Sequence, residues 1–190
     1  MNKWKVAFLL LAGILVFAFV FLFIMITSPV EQETPPEPEQ LNGNVVTLVT
    51  TVNEFEAIST QYLKNELMDS PVPVDIEMNE TIRLNSTLTV FGVDVPISMD
   101  FEPIVEEGNI RLKQREVNVG KLNIPPRSVL KLMKDSVEFP KLITILPNDE
   151  EIYVDLSRVN IANGTRVRAK EIDLPNDRIV LEMVILEEGQ

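Results

Sequence analysis

Between Val6 and Ile26 the chain reads VAFLLLAGILVFAFVFLFIMI, 21 residues without a charge. At 1.5 Å per residue about 20 residues cross the roughly 30 Å hydrocarbon core of a bilayer. The run has no polar face to turn toward water, so a soluble surface helix is a poor home for it. The sequence therefore predicts a transmembrane helix over residues 6–27, preceded by a cytoplasmic N-terminus of residues 1–5. Lys3 and Lys5 stand before the run and acidic residues follow it, which predicts N-in, C-out insertion. Trp4 suits the interfacial layer. A cleaved signal peptide is the competing reading. It fits less well, because the run exceeds the usual 7–15-residue apolar stretch. IMITSPVEQ also offers no small-x-small cleavage site before Pro29.

Residues 28–43 read as a spacer. Glu31, Glu33, Glu37 and Glu39 alternate with Pro35, Pro36 and Pro38, a composition that stays extended and solvated. Residues 44–190 remain, the size of one domain. The whole chain has net charge −12, and without Lys3 and Lys5 the exported part would carry −14. That sign repels nucleic acid and anionic surfaces at long range, so no nucleic-acid partner is expected. Cysteine and histidine are both absent. Thiol chemistry and the usual general base near neutral pH go with them.

Periodicity predicts an antiparallel α+β domain. Asn44–Thr50 reads as a strand, followed by a helix near Asn53–Met68 with an apolar stripe at Phe55, Ile58, Tyr62, Leu63 and Leu67. Thr51–Glu54 and Asn53–Glu56 both have capping-box spacing, and both remain open as its start. Pro71 and Pro73 mark its exit. Val72, Val74, Ile76 and Met78 then alternate, followed by Ile82, Leu84, Leu88 and Val90. Beyond Gly92, the series Val93, Val95, Ile97, Met99 and Phe101 is a half-buried strand. Glu107–Asn109 is a turn. The next strand changes parity between Leu112 and Val117, which predicts a bulge or bend. Pro126 opens a helix with a buried face of Val129, Leu130, Met133 and Val137. PKLITILP, the alternation through Ile152, Val154 and Leu156, and the pair Val167 and Ala169 supply further strands. The last strand places Ile179, Leu181, Met183 and Ile185 on one face. The expected architecture is a transmembrane helix followed by an antiparallel, curved β-meander packed with one or two helices.

Three stretches carry a resemblance: VNEFEAISTQYLKNEL, TVFGVDVPISMDFEPIVEEGNIRLKQREVNVGKLNIPPRSVLKLM, and PKLITILPNDEEIYVDL. With the basic-start anchor, they make the chain similar to the YpmS-like family of the Bacillota, small membrane-anchored proteins. The resemblance supplies no catalytic residue. A helix embraced by a curved meander is also similar, at the level of fold alone, to tubular lipid-binding domains, which enclose acyl chains in an apolar groove.

No nucleotide-binding glycine pattern, G-x-S-x-G elbow or EF-hand spacing occurs. The acids Glu102, Glu106 and Glu107, and Asp149, Glu150 and Glu151, fall at strand ends, where a solvated rim is the ordinary role. No catalytic residue, metal site or cofactor is expected. Two basic stripes, Arg111, Lys113 and Arg115 and then Arg166, Arg168 and Lys170, each keep one strand parity. They are candidates for contact with a lipid head group or another anion, or for plain outward-facing charge. Phe55, Tyr62, Leu63, Val95, Ile97, Met99, Phe101, Leu130 and Met133 would line an apolar groove, or fill a core. The functional expectation is a membrane-tethered extracytoplasmic binding domain holding a lipid or other amphiphile. The alternative is a non-enzymatic scaffold or adaptor for an envelope protein or anionic cell-wall polymer. Oligomeric state stays open.

Overall fold

The computed structural model describes residues 3–27, 34–37, 39, 41–67, 73–90, 93–120, 124–162 and 164–186. Expectations placed on Pro29, Glu31, Glu33, Pro38, Met68, Pro71, Val72 and Gly92 fall outside them, as do the side chains of Leu88, Val90 and Val93. Two units separate, residues 1–32 and residues 33–190.

The first unit holds α1 (Lys3–Thr27), one unbroken helix over the apolar run. From Phe8 to Val20 its side chains are exposed, apart from half-buried Ala12. Among the described residues no helix is long and apolar enough to cross a membrane. The transmembrane span expected over residues 6–27 thus gains no support from the described residues.

The second unit begins with β1 (Gly43–Thr50) and α2 (Val52–Glu66). Of the two candidate capping boxes, Thr51–Glu54 forms. The Glu54 amide donates to the Thr51 hydroxyl at 3.3 Å, and the Thr51 amide donates to the Glu54 carboxylate at 3.4 Å. Glu56 faces elsewhere, accepting the Met78 amide at 2.5 Å and so joining α2 to the next strand. The Val52 amide, another unpaired donor of the first turn, reaches the Asp177 carboxylate at 2.8 Å, 125 residues along the chain.

The chain continues through β2 (Val74–Met78), β3 (Ile82–Val90), β4 (Val93–Glu106), β5 (Asn109–Val119), α3 (Pro126–Ser136), β6 (Ile143–Leu146) and β7 (Glu151–Val154). After a 3-10 turn at Leu156–Arg158 come β8 (Asn160–Ala162), β9 (Thr165–Asp173) and β10 (Arg178–Leu186). The strands form two antiparallel sheets, ordered β2-β3-β4-β5-β7-β6 and β1-β10-β9-β8. The antiparallel α+β reading holds, and the single meander resolves into two sheets.

The bulge falls where the parity change placed it. Pairing between β4 and β5 jumps from Phe101–Gln114 to Asp100–Glu116, leaving Arg115 without an opposite residue. A second bulge leaves Lys170 unpaired between Ala169–Leu181 and Glu171–Val180. Each basic stripe therefore ends on a bulge residue. The turn between β4 and β5 has φ of 50° at Glu107 and 81° at Gly108, the left-handed pair of a tight hairpin.

One apolar cluster takes α2 through Val52, Phe55, Leu63 and Leu67, and α3 through Val129, Leu130 and Met133. Leu130 and Phe101 are 0% exposed, Met99 and Met133 1%. The β4–β5 hairpin tip joins the sheets. The Gly108 carbonyl accepts the Ala169 amide at 2.7 Å, and a Cβ on Gly108 would lie 2.9 Å from the Arg168 Cβ.

The expectation for β10 needs correction. Ile179 is buried and Leu181 and Met183 are half-buried, but Ile185 is exposed. The other parity, Val180, Glu182 and Val184, is buried throughout. β10 has buried residues of both parities, Ile179 on one and Val180, Glu182 and Val184 on the other, so its alternation does not report one buried side.

Two substitutions test this packing by denaturant unfolding. Gly108→Ala meets both the positive φ and the Arg168 contact, and should destabilise the domain by about 1–3 kcal/mol. Phe101→Ala should cost about 3–5 kcal/mol through the cavity it leaves.

Candidate binding surfaces

The residues expected to line a groove are mostly core. Ile97, Met99, Phe101, Leu130 and Met133 are between 0% and 3% exposed. Phe55, Leu63 and Val95 are half-buried and pack against the same cluster, while Tyr62 is 37% exposed. Met99, Phe101, Leu130 and Met133 share one buried cluster with residues of α2 and α3, whereas Ile97 belongs to that cluster and also reaches a surface cleft.

Four of the six candidate anion-binding cations are already engaged. Arg111 pairs with Glu106 and Glu151, each at 2.9 Å. Arg115 pairs with Glu102. Arg168 and Lys170 share one carboxylate, Glu182, at 2.6 and 2.9 Å. Lys113 is exposed and stands in register with Glu102 on one side and Glu151 on the other. Arg166 is half-buried, in register with Val184 and Asn160. The first stripe thus meets an equal number of acids rather than presenting a cationic face. The acids singled out in the sequence, Glu102, Glu106 and Glu151, are what neutralise it. Among the described residues no three metal-ligating side chains converge.

Glu182 was not singled out by sequence. It is a buried carboxylate in β10, held ionised by the Lys170 ammonium and then the Arg168 guanidinium, which together keep its pKa below the ordinary 4.5. The only hint in the sequence was an acid at an inner position of an otherwise apolar strand.

Two surface pockets lie on the second unit. One, of about 340 Å³, sits beside the hairpin tip and is lined by Glu39, Leu41, Asn42, Glu107, Gly108, Asn109, Ser157 and Arg168. Its polar floor is internally bonded. The Asn109 amide group donates to the Tyr153 hydroxyl and accepts from the Leu156 amide, both at 2.8 Å. Asp155 accepts from the Ser157 hydroxyl at 2.5 Å and from Arg158 at 2.8 Å. Such groups fix the 3-10 turn rather than wait for a ligand. The other, of about 650 Å³, lies among Lys64, Pro73–Asp75, Asn85–Thr87, Pro96–Ser98, Asn118 and Gly120. Ile97 alone of the expected lining residues reaches it.

A different surface stands out. Along β1, Val45, Val46, Leu48 and Val49 are 45%, 46%, 42% and 60% exposed. Among the described residues the strand pairs with β10 alone, which leaves its second edge without a strand partner there. NVVTLVT was read as a strand but not as an edge, because strand order is a long-range property.

Glu182 gives a pH test. A depressed folded pKa contributes stability that is present above the unfolded pKa and lost as pH falls through the folded one. Glu182→Gln should cost about 1 kcal/mol at pH 7, a charged hydrogen-bond value reduced because both cations are partly exposed. In urea unfolding series the difference from the parent should begin to shrink as pH falls below the ordinary carboxylate range, and should vanish only below the depressed folded pKa, where the native carboxylate is itself protonated.

Residues 2–185 match the model of a family described as an uncharacterized protein conserved in bacteria (DUF2140). The chain is 29% identical over 181 residues to the uncharacterized protein YpmS of Bacillus subtilis (strain 168), covering 94% of this chain and 95% of that one. No solved structure matches. The chain thus belongs to the DUF2140 family of bacterial proteins.

Proposed function

We propose that this protein is a membrane-tethered extracytoplasmic binding module, a non-enzymatic scaffold or adaptor that engages an envelope protein. In this reading residues 6–27 cross the bilayer, residues 1–5 stay in the cytoplasm, and residues 28–43 hold the domain off the membrane surface. Support for the tether is the uncharged run behind Lys3 and Lys5, together with the exposed apolar side chains of α1. The observation that carries the choice of scaffold over carrier is the filled core. Leu130 and Phe101, both 0% exposed, belong to one buried cluster, which favours a packed core over a carrier groove. Engagement of the basic stripes by Glu102, Glu106, Glu151 and Glu182 also weakens the head-group role.

A second reading, retention of a small amphiphile, is favoured by the 650 Å³ cleft with Ile97 at its wall. That volume lies within the usual range of ligand pockets. Native mass spectrometry of the detergent-solubilised full chain, with lipid extraction, separates the two. The scaffold reading expects lipid adducts no more abundant than on Ile97→Gln, arising from the anchor alone. A stoichiometric adduct lost in Ile97→Gln would replace it with the amphiphile reading.

A further inference from the structure

We infer that β1 is a self-association edge, and that two tethered copies join by antiparallel β1–β1 pairing centred on Thr47. The inference rests on the scaffold reading above and names the partner: a second copy of this chain.

The two sheets have four outer strands. β2 carries Asp75 and Glu77, and its Met78 amide is taken by Glu56 of α2. β6 has four residues and β8 three. Charge and shortness are how natural sheets blunt their edges. β1 has neither protection. It has eight residues, GNVVTLVT, with no charge and no proline, and four large apolar side chains at least 42% exposed.

Symmetry then narrows the register to pairings centred on one residue, and among these centring on Thr47 sets the large apolar side chains opposite one another. In an antiparallel pair, opposed residues point to the same face. A two-fold axis normal to the sheet keeps each residue on its own face in both copies. Opposed residues must therefore have the same parity, and their numbers must sum to an even value. Full overlap of residues 43–50 gives an odd sum and is forbidden. Centring on Thr47 retains Asn44–Thr50, with Val45 opposite Val49, Val46 opposite Leu48, and Thr47 opposite itself. Every large pair is apolar, and no like charges meet. The four-stranded sheet becomes a continuous sheet of eight, through a closed, isologous contact.

Tethering supplies what the small contact lacks. One strand pair buries less than the roughly 1,000 Å² of a stable interface. The domains also repel one another, since the chain carries −12. Two copies in one bilayer, however, meet at an effective concentration far above bulk. In the paired register the two Gly43 residues would lie roughly 27 Å apart at about 3.4 Å per residue. Residues 28–42 reach up to about 50 Å when extended, so both anchors fit one membrane.

The chain has no cysteine, so single substitutions report alone. Full-length Thr47→Cys in isolated membranes of expressing cells should form a disulfide-linked dimer on mild oxidation, because paired Cα atoms sit within disulfide reach. Val45→Cys alone should not, whereas co-expressed Val45→Cys and Val49→Cys should cross-link to each other. Adding Val46→Lys to Thr47→Cys should reduce the dimer at least several-fold. A membrane-bound Thr47→Cys protein that stays monomeric, that links to a different protein, or that links no more than exposed Lys113→Cys overturns self-pairing and leaves the tethered scaffold standing. Recovery of the protein in the soluble fraction overturns the tether itself.

Discussion

The contact between the Gly108 carbonyl and the Ala169 amide holds a 2.7 Å bond at the place where the two sheets meet. Only a residue without Cβ allows that approach, because Arg168 lies directly beneath. Arg168 is in turn fixed by Glu182, which Lys170 also reaches, so the β4–β5 tip rests on a neutralised and hydrogen-bonded surface rather than on loose side chains. From this joint both sheets contribute to one core. β4 and β5 supply its centre, Ile179 and Ala169 extend it from the second sheet, and α2 and α3 close it. α2 is pinned to both sheets, by Glu56 to the Met78 amide and by the Val52 amide to Asp177.

That arrangement sets both helices and the curved strands around one buried cluster. The bulge at Arg115 bends β5, and a bent sheet leaves room on its concave side. α3 presents Val129, Leu130 and Met133, which interlock with Met99 and Phe101. The apolar residues that suggested a lipid groove contribute to this shared buried cluster, with Ile97 also at the wall of a surface cleft. The polar surface behaves in the same way. Arginines that would face an anion are matched by acids on neighbouring strands, leaving the uncharged β1 edge as the surface without an internal partner among the described residues.

Local chemistry was legible in the sequence. Thr51 and Glu54, Pro126, the parity break before Val117 and the Glu107–Asn109 turn each correspond to an element of the structure, because each acts over a few residues. The choice between the two capping boxes was not legible. It depends on Glu56 finding the Met78 amide, a contact across 22 residues. Nor was the burial of both parities of β10, which depends on what packs against each face of its sheet. The same reason hid Glu182, whose partners come from β9, and the exposure of Val45 to Val49, which follows from β1 having no strand partner beyond it among the described residues. The buried apolar residues were named correctly as apolar surface to be covered. Sequence periodicity cannot distinguish what covers them, a ligand or another helix.

Amide hydrogen exchange of the full chain in lipid bilayers, compared with the chain in lipid-free detergent, tests the filled core most directly. The account predicts that β4 around Met99–Phe101 and α3 around Leu130–Met133 exchange only through global unfolding, with equal protection in both. Protection there that is weak without lipid and rises when lipid is supplied would contradict it, because the core would then be opening to take a ligand.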